Sequence, residues 1–278
     1  MKNVQRMILE STIKPNTLSV MSIQAPNQDG FAHEVTSYLG KQLGATAVFP
    51  KTIPWQERER LFDAGNIQVG WICGLPYVWK ADNQHPPVEL LAAPVMSASR
   101  YQNRPISFSD VIVRADSPFT RFADFRGARW VYNEPHSHSG YNLVAYHLAK
   151  LGEDWSYFNE VLASGAHQVS LGMVKNGRCD ASAIDSTVLE IEFAKDTSRQ
   201  TQFRIIETLG PSPITPWVIR KDVPTELKQN IRYRLLTMHN HSGGHTILAK
   251  HGVTRFAPIT DKDYDIIRHM AQITAVQP

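Results

Sequence analysis

The stretch ARWVYNEPHSHSGYNLVAYHLAKL, residues 128–151, decides the fold because it passes from a strand pattern through a polar loop into a helix pattern. The apolar start ARWVY predicts a buried strand. Val144, Leu148 and Leu151 then recur at helical spacing, and Gly152 marks the end of the helix. A strand, a loop and a helix in this order form the repeating unit of α/β folds.

The same alternation continues on both sides of this stretch. We predict strands at 18–23, 45–49, 67–73, 88–95, 109–114, 181–184, 203–206 and 217–220. We predict helices at 31–43, 55–64, 167–176, 186–194, 225–238, 246–251 and 261–272. The α/β pattern is therefore used twice, without a repeat of sequence between the two copies.

Two strand-like segments, near 107–113 and 214–219, join the copies, so the chain is expected to cross between them twice. The predicted fold class is α/β with two lobes, each a mainly parallel sheet flanked by helices. The first lobe is discontinuous, 1–108 and 215–278, and the second is 109–214. Lobes joined by two strands can close by hinge bending, and ligands of such sheets lie beyond the carboxyl ends of the strands.

Composition narrows the function. The 278 residues carry a net charge of +3 without a dense Lys/Arg block, which argues against nucleic acid and is compatible with small anions as partners. Cys73 and Cys179 lie far apart, outside any CxxC or zinc spacing, so no metal cluster is expected. Two free thiols are the simpler interpretation of these cysteines, and a disulfide between them stays open.

The N-terminal segment does not resemble a secretory signal. Its apolar run Met7–Leu9 stops at Glu10, short of the roughly 7–15 residues that an export core needs. The expectation from the sequence as written is a chain that is not exported and that does not insert into a membrane.

The turn Ser137-His138-Ser139-Gly140 is the strongest candidate for a site. It opens the predicted helix, whose first N–H groups have no partner within the helix. These N–H groups, the serine hydroxyls and the helix dipole together suit a tetrahedral anion, and Gly140 lets the backbone approach it closely. Tyr141 follows directly and is included. The alternative is simple capping of a helix.

Three further positions complete the candidate set. His167 opens the next helix and can donate to an oxyanion. Asp185 ends a strand and either caps the helix that begins at Ser186 or faces the ligand; in the second case the ligand must bring a protonated group. Tyr77 follows the turn 74–76 and is predicted to end a first-lobe strand and contact the ligand on closure, with a core aromatic as the alternative.

Two chemical alternatives compete with binding. Ser139, His167 and Asp185 have the residue types of a hydrolytic triad, but no GxSxG elbow accompanies them. The histidine-rich segment 239–245 offers nitrogen ligands without carboxylates or cysteines, so solvated histidines are favoured over a metal site.

Several motifs together resemble the phosphate/phosphite/phosphonate-binding components of ABC transporters. They are VGWICGLPYV (69–78), FSDVIVRADSPFTRFADFRG (108–127), YNEPHSHSGYN (132–142), GAHQVSLGMVKNGRCDASAID (165–185) and IETLGPSPITPWVI (206–219). The resemblance implies a type II periplasmic binding protein fold, a phosphonate-like ligand in the cleft between the lobes, no cofactor, an ABC permease as partner and a periplasmic or cell-envelope location.

The resemblance also implies roles for single residues. The family's hydroxyl-rich turn matches Ser137–Gly140, and its histidine, acid and tyrosine match His167, Asp185 and Tyr77. This chain departs from the family at His138, where threonine is typical, and at Ser186, where an aromatic is typical.

The predicted function is therefore non-catalytic capture of a small phosphorus oxyanion or phosphonate for uptake. The alternatives are a ligand-sensing module of the same fold, the same fold with a pyrimidine-like ligand, and the hydrolase.

Overall fold

The computed structural model describes residues 16–275, which divide into two compact units. The first unit comprises the described residues up to Ile106 and Pro213–Asp263; the second comprises Ser107–Ser212 and the described residues from Tyr264 onward. The N-terminal apolar run, on which the expectation about export rests, lies outside the described residues.

Strands and helices alternate along the chain, as the sequence pattern predicts. The strands are β1 (Thr17–Ser22), β2 (Thr46–Val48), β3 (Val69–Trp71), β4 (Val88–Met96), β5 (Ile106–Arg114), β6 (Arg129–Tyr132), β7 (Glu160–Ala163), β8 (Ala181–Asp185), β9 (Phe203–Pro213), β10 (Trp217–Arg220) and β11 (Val253–Ala257). The α-helices are α1 (Asp29–Leu43), α2 (Trp55–Asp63), α3 (Gly74–Ala81), α4 (Leu143–Lys150), α5 (His167–Lys175), α6 (Ser186–Lys195), α7 (Thr225–Leu236), α8 (Ser242–Lys250) and α9 (Asp265–Thr274).

The first unit is built on a six-stranded sheet in the order β11-β4-β10-β3-β1-β2. Strand β1 runs parallel to β2 and β3, whereas β10 is antiparallel to β3 and β4. Helix α1 shows why its segment folds as predicted: Phe31, Val35 and Leu39 form its buried face, and Gly44 ends it at a φ of 62°, which favours glycine. The stacked rings of Trp71 and Trp217, 5.9 Å apart, join β3 to β10.

The second unit has a five-stranded sheet in the order β7-β6-β8-β5-β9. Strand β6 is parallel to β7 and β8, and β8 is antiparallel to β5. Its core centres on the fully buried Trp130, which stacks on Phe158 at 4.7 Å and also contacts Phe122 and Phe125. Because β6 carries Trp130, this packing fixes the strand that leads into the candidate turn.

The structure differs from the sequence-based expectations at four places. Both sheets are mixed rather than mainly parallel. The C-terminal helix α9 packs against α4 and belongs to the second unit, not to the lobe 215–278, because Ile267, Met270 and Ala271 bury its apolar face. Strands β7 and β11 were not predicted, since each mixes exposed polar positions into a short run.

The fourth correction concerns Tyr77, which lies on helix α3 and not at the end of a strand. Helix α3 begins at Gly74, directly after Cys73. Pro76 therefore falls in the first turn, where its missing N–H costs no helical hydrogen bond. Gly74 and Pro76, which suggest a turn in the sequence, lie instead in the first turn of a helix.

Candidate functional site

The loop after β6 ends in a wide π-type turn over His138–Asn142, and this turn leads into α4. Ser137 caps it: its Oγ accepts the Gly140 N–H at 3.0 Å, and its carbonyl accepts the Asn142 N–H at 3.0 Å. The predicted serine cap is thereby confirmed. A π-type turn is rare and often marks a functional site, since it displaces the N–H groups of the first turn from their usual positions.

Position 140 requires glycine because there is no room for a side chain, not because the backbone has an unusual φ angle. A Cβ at this position would lie 1.9 Å from Asn133 Oδ1 and 3.1 Å from His167 Cε1. The loop asparagine, the glycine of the turn and the histidine of α5 therefore pack directly together.

Ser139 and His167 meet, as expected for parts of one site. Ser139 Oγ lies 3.4 Å from His167 Nε2, at the long end of hydrogen-bond range, and the Ser139 carbonyl accepts the Ser109 hydroxyl at 2.7 Å. His167 Nδ1 is buried and makes no hydrogen bond within residues 16–275. Burial lowers the pKa of His167 to about 4, so the imidazole is neutral at physiological pH.

His138, the middle residue of the turn, is also buried and neutral. Burial lowers its pKa to about 3. Its Nδ1 lies 3.2 Å from the side-chain amide nitrogen of Asn142, one turn further along. The turn thus offers neutral groups, without a permanent positive charge of its own.

Asp185 caps helix α6, one of the two roles that the sequence left open. Its Oδ1 accepts the Thr187 N–H at 2.9 Å and the Thr187 hydroxyl at 2.6 Å. Burial raises the pKa of Asp185, and the nearby charge of Asp110 adds to the rise. Ser186 Oγ accepts the Phe108 N–H at 3.1 Å, so this side chain ties α6 to β5.

Tyr77 and Tyr141 have defined partners of their own. The Tyr77 hydroxyl, in the first unit, donates to Asp261 Oδ1 at 2.6 Å, and its ring is buried. Tyr141 stacks on Trp155 with ring centroids 4.7 Å apart and contacts Tyr132 at 4.8 Å. The second unit therefore contains all the candidate residues except Tyr77.

Sequence reasoning missed several residues that support the turn, among them Ser109, Asn133 and Asn142. Ser109 is a fully buried serine on β5, in a strand pattern that gives no sign of a polar contact. Asn133 belongs to the motif at 132–142, but the sequence pattern assigned it no role. Asn142 could have been found, because a polar residue four positions after His138 lies on the same face of a helix.

The described residues do not bring a hydrolytic triad together. A triad needs the carboxylate to orient the histidine, but Asp185 caps a helix and His167 Nδ1 has no partner in the described part of the chain. Across the described residues no group of three His, Cys, Asp or Glu side chains could hold a metal ion. Cys73 and Cys179, both described, do not form a disulfide. No described helix has both the length and the apolar character to cross a membrane.

Two mixed α/β units, one of which carries a buried, hydroxyl-lined helix start, are compatible with a solute-binding protein. The family model of phosphonate ABC-transporter periplasmic substrate-binding proteins matches residues 25–264, and the chain belongs to that family. The type II periplasmic binding fold and the non-catalytic role predicted from the sequence are confirmed.

Individual proteins that are similar to this chain also bind or transport phosphate or phosphonate. The chain is 22% identical to the phosphate-import protein PhnD of Mycolicibacterium smegmatis over 283 aligned positions, covering 94% of this chain and 86% of the relative. PhnD1 of Prochlorococcus marinus, solved in complex with methylphosphonate, has a TM-score of 0.81 at 18% identity, covering 95% of this chain and 100% of that one. A binding component of a phosphonate ABC transporter from Pseudomonas aeruginosa also has a TM-score of 0.81 at 18% identity, covering 94% and 87%.

The burial of His167 predicts how the stability of the protein depends on pH. Because the folded-state pKa of His167 lies below the unfolded value of 6.5, its contribution is present above pH 6.5 and is lost as the pH falls toward about 4. This loss amounts to at most about 3 kcal/mol. We expect the melting temperature to fall across this window, and less steeply in His167→Asn. Equal slopes in both proteins, measured by calorimetry at several pH values, would contradict a buried neutral imidazole.

Proposed function

We propose that the turn Ser137–Gly140, with His167, binds a phosphorus oxyanion of the phosphonate or phosphate class for delivery to an ABC permease. One observation carries the proposal: a capped helix start brings Ser139 within 3.4 Å of a buried neutral histidine whose Nδ1 has no partner in residues 16–275. Hydroxyl, imidazole and backbone N–H groups are the donors that a tetrahedral anion needs.

We further propose that Asp185, besides capping α6, lies beside the bound ligand, and this placement narrows the class of ligand. A buried carboxylate beside an anion is repulsive unless a proton lies between them. A phosphonate or phosphate retains such a proton near neutral pH, whereas sulfate does not. We therefore expect the site to accept phosphonate and phosphate and to discriminate against sulfate.

Two parts of the proposal rest on the family alone. Tyr77 is proposed as the contact from the first unit because it matches the family's tyrosine, and the permease is proposed because the chain belongs to a transporter family. The proposed ligand follows in part from PhnD1, which was solved with methylphosphonate, and from the phosphate-import protein PhnD.

The proposal is tested by a thermal-shift and calorimetric screen of methylphosphonate, inorganic phosphate, phosphite and sulfate. Stabilisation by at least one phosphorus oxyanion, with little effect of sulfate, is the expected result. A chain that none of the phosphorus oxyanions stabilises at millimolar concentration would falsify the proposal.

Ser139→Ala is expected to weaken the best of these ligands roughly tenfold or more, because a hydrogen bond to a charged group contributes about 1.5–3 kcal/mol. His167→Ala should weaken it to a similar extent. Isothermal titration calorimetry provides the measurement. Ser156→Ala is the matched control, since Ser156 is an exposed serine at another helix start of the second unit. Equal losses in Ser156→Ala and Ser139→Ala would remove the proposed role of Ser139.

A further inference from the structure

A chain of hydrogen bonds runs from the C-terminal helix to the candidate turn, entirely within the second unit. The hydroxyl oxygen of Thr274, on α9, lies within hydrogen-bond distance of Asn142 Oδ1, at 3.1 Å. The Asn142 amide nitrogen lies 3.2 Å from His138 Nδ1. Asn142 is fully buried, and α9 packs against the π-type turn that carries His138.

The direction of these bonds decides where the imidazole carries its proton. If Thr274 donates to Oδ1, the amide nitrogen of Asn142 points to His138 and donates to Nδ1. A neutral imidazole has one proton, so it must then lie on Nε2. The imidazole is neutral at physiological pH, because burial lowers the pKa of His138 to about 3.

We infer that Thr274 and Asn142 are positioning residues that hold His138 as the tautomer protonated at Nε2. The C-terminal helix then helps to set the anion specificity of the turn. This inference rests on the proposed function for its link to ligand binding. Where the family typically has a threonine hydroxyl, this chain then has the Nε2–H of His138, and Asn142 and Thr274 keep the proton on that nitrogen.

A reversed amide is the competing arrangement. Thr274 Oγ also lies 3.0 Å from the Met270 carbonyl, the usual acceptor for a helical threonine, and 3.3 Å from the Ala271 carbonyl. If its proton went there, the Asn142 amide could turn over, donate to Thr274 and accept from His138 Nδ1. Nε2 would then carry a lone pair, which repels an oxyanion. A turn that binds anions favours the first arrangement.

The tautomer can be measured without any ligand. Two-bond hydrogen–nitrogen correlation spectra of the ¹⁵N-labelled full chain, with His138→Gln to assign the signals, identify which nitrogen is protonated. The expected result is a proton on Nε2 at neutral pH. A proton on Nδ1 of His138 would overturn the inference, whatever the protein binds.

Variants of Thr274 test the link to binding. Thr274→Val removes the hydroxyl at nearly constant shape, and we expect His138 to populate both tautomers and the affinity for methylphosphonate or inorganic phosphate to fall about 3- to 10-fold. Thr274→Ser keeps the hydroxyl, so this variant should have the single tautomer of His138 and the ligand affinity of the unmodified chain. The control is Thr246→Val, because the exposed Thr246 donates its hydroxyl to the carbonyl four residues before it, the bond that is usual for a helical threonine.

These measurements separate the inference from the proposed function. An unchanged tautomer and unchanged affinity in Thr274→Val would overturn the role of Thr274. Absence of oxyanion binding in the unmodified chain would instead count against the proposed function, while the spectrum of His138 would still decide its tautomer.

Discussion

Replacement of Gly140 by alanine is expected to reduce the affinity for methylphosphonate or phosphate by about 100-fold. The new Cβ would lie 1.9 Å from Asn133 Oδ1 and 3.1 Å from His167 Cε1. Asn133 is buried and cannot simply swing into solvent, so the loop and the histidine must move apart. Because such strain also affects folding, we expect a loss of about 1–3 kcal/mol in the free energy of unfolding.

A helical glycine of the same unit provides the matched control. Gly172 lies on α5, and a Cβ at this position would meet no other atom within 4 Å. Gly172→Ala should therefore leave binding unchanged and raise the free energy of unfolding by about 0.5–1 kcal/mol. Calorimetric titration and denaturant unfolding measure both quantities.

The double variant Gly140→Ala/Asn133→Ala separates the clash from the loss of close approach. Removing the asparagine amide takes away the 1.9 Å clash and leaves the milder contact with His167 Cε1 at 3.1 Å, so most of the stability should return. If Gly140→Ala alone bound the ligand as tightly as the unmodified chain, the close packing of Asn133, Gly140 and His167 would have no part in the site.

The local parts of the fold follow from the sequence, since apolar spacing and glycine stop signals act over a few residues. The alternation of strands and helices and the serine cap at Ser137 are confirmed on this ground. The placement of α9 could not be predicted, because an apolar helix face shows that the helix packs but not on which unit. Tyr77 shows the same limit, since glycine and proline before it suit a turn and a helix start equally.

The candidate site divides in a similar way. Ser137–Gly140 and His167 were found because they sit at helix starts, which short patterns reveal. Ser109 and Thr274 were not found, because their contacts with the turn join residues 30 and 132 positions apart in sequence. Such contacts depend on strand order and helix docking, which no local pattern encodes.

Asp185→Asn is expected to stabilise the free protein at neutral pH and to change how binding depends on pH. Asparagine caps a helix as well as aspartate does, so the bond from the Thr187 N–H is kept. The buried charge is removed. Because the folded-state pKa of Asp185 is raised, its contribution is complete below the unfolded value of 3.8 and is lost as the pH rises through the folded pKa.

The gain from Asp185→Asn should therefore be about 1–2 kcal/mol at pH 8 and should vanish below about pH 4. Asp196 is the control, because it makes the same local bonds but is exposed. Its Oδ1 accepts the N–H and the hydroxyl of Ser198. The pKa of Asp196 is lowered, chiefly by the hydrogen bond from the Ser198 hydroxyl, whereas the pKa of Asp185 is raised. Asp196→Asn should destabilise the protein at neutral pH. A gain of stability in both variants would show that burial of Asp185 is not the cause.

Binding gives the more direct test of Asp185. If Asp185 lies beside the ligand as proposed, carboxylate and ligand share one proton, and the affinity for methylphosphonate should fall up to tenfold per pH unit above the second ionisation of the ligand. The Asp185→Asn variant needs no shared proton, because the introduced amide can donate to a fully ionised oxygen. We expect the slope to disappear in this variant and sulfate to bind more tightly than before. An identical pH profile in both proteins, measured by calorimetry from about pH 5.5 to 8.5, would leave Asp185 as a helix cap alone, with another residue responsible for the choice of ligand.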